Sequence, residues 1–221
     1  MTAPLVASPA RRAVLAEVAS RIPELGRPVL VTVDGVDGSG KTTFADELAG
    51  VVEATGRFSA VVRASVDGFH HPREHRHAHG RTGETFWSRS FDYPALLHEL
   101  IHPWRSGPGS SYRTAVHDVT TEAALDLPAA AVPAGGLLLL DGIFSQRDEL
   151  REHWDLAVFL DVPFEASVSR MALRDGSVDD PTHPDQARYV EGQRIYFAAC
   201  DPRSRADVVV DNTDLGQPRI L

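Results

Sequence analysis

The sequence predicts an α/β fold, a mostly parallel sheet of five strands with helices on both faces. Three observations predict it. Short apolar, β-branched runs recur along the 221 residues and are followed by aspartates. Segments with helical spacing lie between those runs. A glycine-rich stretch joins the first run to the helical segment after it. Apolar runs without polar alternation suit strands buried on both faces, and strands alternating with helices build a parallel sheet.

The elements follow in order. Leu15, Val18, Ile22 and Leu25 recur at helical spacing, which predicts a helix over about 10–22 packed outside the sheet. Residues 28–34 read as the first strand, and Thr42 opens a helix with Phe44, Leu48, Val51 and Val52 on one side. Further strands are expected over 59–66, 136–140, 156–160 and 206–210, with helices between, for example over 93–101 and 165–174. The five runs end at Asp34, Asp67, Asp141, Asp161 and Asp211. Ligands bind at the carboxyl ends of the strands in such sheets, so some of these acids are placed to face a phosphate-bound metal or a substrate. Residues 70–91 read as a polar loop with one helical turn, and 105–114 and 126–136 as further loops. No internal repeat is present, and residues 1–221 are expected to form a single domain.

Composition narrows the class. A net charge of −9 argues against a sequence-independent nucleic-acid binder. No apolar stretch approaches the roughly 18 residues of a membrane span, so no membrane partner is expected. Arg11-Arg12 is not followed by an apolar segment, as a secretory signal would require. The lone cysteine, Cys200, excludes an internal disulfide and fits a cytoplasmic location. The sequence leaves room for a homo-oligomer.

Lys41 is the one lysine among 22 basic residues, and it lies in Gly35-Val36-Asp37-Gly38-Ser39-Gly40-Lys41-Thr42-Thr43. This is the G-x-x-x-x-G-K-[ST] pattern of a phosphate-binding P-loop, in the required order of strand, loop and helix. Its amides and the helix N-terminus favour phosphate, Lys41 reaches the β- and γ-phosphates of ATP, and Thr42 is the expected magnesium ligand. The Asn-Lys-x-Asp motif for guanine and the Leu-Ser-Gly-Gly-Gln of transporter ATPases are absent. A small-molecule kinase remains. Leu137-Leu138-Leu139-Leu140-Asp141 supplies an acid at the end of an apolar strand, where it would hold the metal. Asp67, in Val66-Asp67-Gly68-Phe69-His70, could orient an acceptor hydroxyl and take its proton; a turn aspartate is the bland alternative.

Together with Ser90-Phe91-Asp92-Tyr93-Pro94, Asp141-Gly142-Ile143, Phe159-Leu160-Asp161 and the segment Arg170 to Asp175, these motifs make the chain resemble the uridine kinase family. That family lies within the wider group of P-loop kinases that includes pantothenate kinase and phosphoribulokinase. The resemblance runs from about 28 to 211. It implies that Asp67 is the base, that Asp92 binds sugar hydroxyls, and that Phe91 or Tyr93 lies near a flat group. It also implies that Arg170 and Arg174 belong to a lid over about 170–190 that covers the transferring phosphate. Arg188 and Arg194 are weaker lid candidates.

Two departures stand out. Met171 replaces the second of two adjacent arginines expected in the lid, and residues 70–81 are unlike a nucleoside-binding segment. Arg73, Arg76 and Arg81 in that stretch could recognise an anionic acceptor. His70 adjoins Asp67 and could contact substrate. His75, His77 and His79 would alternate on an extended segment, but no cysteine or acidic cluster completes a metal set, and a solvated loop accounts for them. The reading is an ATP- and magnesium-dependent kinase that phosphorylates a hydroxyl of a nucleoside or related small molecule. The alternatives are pantothenate, a sugar or a sugar phosphate as acceptor, or a regulatory nucleotide binder without turnover.

Overall fold

A computed structural model of the chain describes residues 8–221. Helix α1 (Pro9–Arg21) is capped by Ser8 and leads to β1 (Val29–Gly35), which is buried along its whole length. The phosphate loop follows, then α2 (Lys41–Thr55) and β2 (Val61–Ser65). A 3-10 turn (Val66–Phe69) leads to α3 (Arg73–His77) and α4 (Gly83–Arg89). A continuous helical stretch follows, made of α5 (Tyr93–Leu96), a π-turn (Leu97–Ile101) and α6 (His102–Ser106). Pro103 has no N–H to give Glu99, and that carbonyl instead accepts from the Arg113 amide at 2.9 Å.

Two small ribbons come next. β3 (Ser111–Tyr112) pairs with β6 (Ala130–Ala131), and β4 (His117–Asp118) with β5 (Ala123–Ala124). The main sheet resumes with β7 (Leu137–Asp141) and β8 (Leu156–Asp161), followed by α7 (Phe164–Asp175), α8 (Pro184–Cys200) and α9 (Pro202–Arg205). β9 (Val208–Asp211) and β10 (Arg219–Ile220) end the chain.

The sheet order is β10-β9-β8-β1-β7-β2, and every pairing is parallel except β9 with β10. The expected five strands therefore become six. Arg219–Ile220 is too short and polar to read as a strand, and it folds back antiparallel on Asp211 and Val210. Alternation along each strand divides the core. Val29, Val31, Val33, Leu137 and Leu139 pack under α1 and α2. Leu30, Leu138 and Leu140 face the other layer, with Phe86, Leu96, Trp104 and Tyr196.

The predicted loop over 70–91 is largely helical. Thr82 accepts from the Thr85 amide while the Thr85 hydroxyl accepts from the Thr82 amide, a reciprocal cap that starts α4. With α3 helical as well, the histidines at 75 and 77 do not alternate on an extended segment. The stretches at 105–114 and 126–136 likewise contribute β3 and β6.

Helices α4 and α8 cross at two glycines. A Cβ on Gly83 would lie 2.5 Å from Glu191 Cγ, and one on Gly192 would lie 2.7 Å from Phe86 Cδ1 and 2.9 Å from the Gly83 carbonyl.

Candidate active site

The phosphate loop lies between the ends of β1 and α2, and its shape depends on backbone that only glycine adopts without strain. Gly38 has φ +74° and Gly40 φ +90°. A Cβ on Gly38 would lie 2.3 Å from the Ser167 carbonyl, so α7 rests directly on the loop. The Asp37 amide donates to Gln193 Oε1 at 2.7 Å, and Asn212 Nδ2 donates to the Ser39 carbonyl at 2.8 Å. Lys41 Nζ donates to the Val36 carbonyl at 2.8 Å, folded back on the loop it belongs to.

Across the loop, Thr42 Oγ1 donates to Asp141 Oδ2 at 2.7 Å, and Arg63 Nη2 donates to Asp141 Oδ1 at 2.7 Å. The register Val33↔Asp141 and Ser65↔Asp141 brings that carboxylate between the ends of β1 and β2. Asp141 is buried, and Arg63 also donates to the Leu139 carbonyl at 2.6 Å. A hydroxyl beside a carboxylate is a set of hard oxygen donors that suits magnesium, which takes one or two protein ligands and completes its shell with phosphates and water.

Asp67 lies in the 3-10 turn just past β2, two residues beyond the last strand residue. Its side chain is 67% exposed, and it borders the same cavity of about 460 Å3 as Lys41, Thr42, Asp141, Arg170 and Arg174. His70 Nδ1 lies 2.9 Å from the Asp67 carbonyl, and its ring packs on Phe91 with centroids 4.3 Å apart. Burial pushes the His70 pKa down, opposed by the Asp67 carbonyl and carboxylate, so the ring is neutral at neutral pH.

Beneath the site, Asp34 is wholly buried. It accepts from Tyr196 Oη, from the Gly35 amide at 2.7 Å and from the Gln146 amide at 3.2 Å. Burial raises its pKa to about 6, against the pull of those hydrogen bonds and of Lys41.

Three predicted roles change. Phe91 and Tyr93 are core residues, 3% and 8% exposed, so neither ring offers a face to a flat acceptor group. Asp92 caps α5 by accepting from the Ala95 amide at 2.9 Å, with its other oxygen 3.8 Å from His71 Nδ1. Arg170 donates to the Asn212 and Thr213 carbonyls at 2.8 and 2.7 Å and reaches the Gly38 and Ser39 carbonyls at 3.4 Å. These bonds tie it to the loop at the edge of the cavity. Arg174 is exposed and pairs with Asp175 at 2.9 Å. Arg73 and Arg81 border a second cavity of about 460 Å3, beside the first rather than within it.

Sequence reasoning passed over Arg63, Gln193 and Asn212. An arginine inside the apolar run 59–66 was the one available signal, and it belonged to Arg63.

Residues 30–178 match the Phosphoribulokinase / Uridine kinase family. The chain belongs to that family. Like its members, this phosphoribulokinase/uridine kinase family protein is a P-loop kinase that phosphorylates a hydroxyl group. Solved structures agree on the fold. One from Bacillus stearothermophilus, described as a possible uridine kinase, has a TM-score of 0.70 at 23% identity, covering 90% of this chain and 96% of that one. A Silicibacter protein provisionally described as a fructose transport system kinase has a TM-score of 0.67 at 24% identity, covering 84% and 95%. Phosphoribulokinase from Rhodobacter spheroides has a TM-score of 0.55 at 13% identity, covering 84% and 70%. No helix among the described residues of this family member is long and apolar enough to cross a membrane.

Proposed function

We propose that the protein transfers the γ-phosphoryl group of ATP to a hydroxyl of a small-molecule acceptor, with Asp67 as the base. The observation that carries this reading is the convergence of Lys41, Thr42, Asp141 and Asp67 on one cavity. Lys41 exchanges the Val36 carbonyl for the β- and γ-phosphates, and the loop amides hold the same oxygens. Thr42 and Asp141 would hold magnesium, which when bound neutralises charge on the bridging phosphates. Arg63 keeps the Asp141 carboxylate turned toward Thr42.

The acceptor oxygen attacks the γ-phosphorus as the bond to the β,γ-bridging oxygen breaks. ADP leaves with that electron pair, and the hydroxyl proton passes to Asp67. Exposure of Asp67 at the rim lets an acceptor reach it from solvent. Arg174, on the exposed end of α7, is the arginine free to approach the transferring group, since Arg170 is committed to backbone carbonyls.

Asp67→Asn tests this. Transfer is expected to fall by about 10²–10⁴-fold, the usual worth of a general base, with ATP affinity by calorimetry nearly unchanged. Equal loss of transfer and ATP binding would remove Asp67 from the role of base.

A further inference from the structure

The acceptor side of the cleft holds a cationic pocket that phosphoryl transfer does not explain. Arg73 and Arg76 from α3, Arg81 from the turn before α4 and Arg188 from α8 surround a cavity of about 460 Å3. They do so in a chain of net charge −9. Glu122 is the acid bordering this cavity. It pairs with Arg76, lies 3.3 Å from Arg73 Nη2 and accepts from the Arg73 amide at 2.9 Å. Four guanidinium groups against one carboxylate leave the wall of the pocket three charges positive. His77 adds none at neutral pH, because desolvation and the surrounding arginines push its pKa down.

Arg188 carries a buried donor without a partner, its Nε. Its guanidinium carbon lies 4.6 Å from the Tyr189 ring centroid and 5.5 Å from that of Phe86. Burial pushes its pKa below the ordinary arginine value, the sign of a cation short of counter-charge. A buried donor left unmatched costs free energy that an arriving anion offsets.

The pocket also opens toward the reaction. Tyr189 borders a neighbouring cavity of about 570 Å3 together with Asp37, Met171 and Arg174. Those three residues border the cavity of Lys41 and Asp67 as well. Tyr189 thus borders two neighbouring cavities, one lined by the arginines and one that adjoins the phosphate-loop cavity at Asp37, Met171 and Arg174.

We infer that the acceptor is an anionic hydroxyl compound whose carboxylate or phosphate group is held by Arg81 and Arg188, backed by Arg73 and Arg76. The assignment of this anion to the acceptor rests on the phosphotransferase reading above; the anion site itself does not. Guanidinium forks bind both carboxylate and phosphate in bidentate fashion. A neutral nucleoside has no charge to set against this wall, and Phe91 and Tyr93 lie in the core, away from any base.

The test uses the whole chain saturated with magnesium-ADP, so that the phosphate loop is already filled. Inorganic phosphate and, separately, acetate are titrated in by calorimetry. A saturable anion site is expected, weakened at least about tenfold in Arg188→Gln and in Arg81→Gln while both variants keep their ADP affinity. Tighter phosphate than acetate points to a phosphorylated acceptor, and the reverse to a carboxylate. No saturable site, or variants that bind as the parent does, would overturn the inference.

A turnover panel of nucleosides, neutral sugars, hydroxy acids and sugar phosphates completes the test. Transfer confined to the anionic members supports the inference, and equal kcat/KM on a neutral nucleoside refutes it. No transfer to any acceptor, with the anion site titrating normally, would instead sink the phosphotransferase reading and leave the site standing.

Discussion

Replacing Arg63 by methionine isolates the least expected contact of the site. The change keeps an apolar stem on β2 and removes the Arg63 Nη2 bond to Asp141 Oδ1 at 2.7 Å, together with the exposed pair to Asp46 at 3.0 Å and the bond to the Leu139 carbonyl at 2.6 Å. Asp141, 3% exposed at its side chain, is then left with the Thr42 hydroxyl at 2.7 Å. Breaking a buried ion pair by removing one partner costs about 3–5 kcal/mol. Arg63 is 23% exposed, so water reaches the pair and the cost falls to about 2–3 kcal/mol. For a chain of this size that is a loss of about 4–12 °C in Tm, at about 2–4 °C per kcal/mol. A bound cation supplies the positive charge that Arg63 gave, so magnesium-ADP should raise the Tm of the variant more than that of the parent. Scanning calorimetry with and without magnesium-ADP reads both quantities. A loss below about 2 °C, or equal ligand shifts in the two proteins, would refute the idea that Arg63 holds a buried carboxylate for the metal.

Other consequences are as direct. Gly38→Ala puts a methyl 2.3 Å from the Ser167 carbonyl at φ +74°, so α7 must shift off the loop. ADP affinity should fall by more than about tenfold, and an affinity equal to the parent's would show that the contact does not shape the loop. Asp34 has a pKa raised to about 6 by burial, so its contribution to stability is full below about pH 4 and is lost as pH rises through about 6. Relative to Asp34→Asn, the parent should lose about 3 kcal/mol across that window in urea unfolding. A difference that stays constant with pH would contradict the burial of an ionisable Asp34.

The donor half of the site was legible because its signals are local. Residues 35–42 encode a loop, a helix start and a lysine within one turn, and the register Val33↔Asp141 follows from two apolar runs pairing in parallel. The acceptor half is built from distant pieces. Arg188 joins the arginines of α3 only because α8 crosses α4, and Glu122 reaches them from a loop with no pattern of its own. Phe91 and Tyr93 misled because an aromatic beside a polar residue reads equally well as a platform or as core; both belong to the apolar layer under α4 to α6. Arg170 lies in the expected segment, but the carbonyls it holds come from Asn212 and Thr213, more than forty residues away. The sixth strand escaped because two residues carry too little periodicity to register.

The crossing at Gly83 and Gly192 brings α4 and α8 close together, with the Glu191 and Phe86 side chains packed against the two glycines. Arg188 is carried on α8 and Arg81 lies two residues before α4, so the crossing sets the spacing of the two guanidinium groups. The gauge of the arginine pocket is thus set by two residues that have no side chain, Gly83 and Gly192.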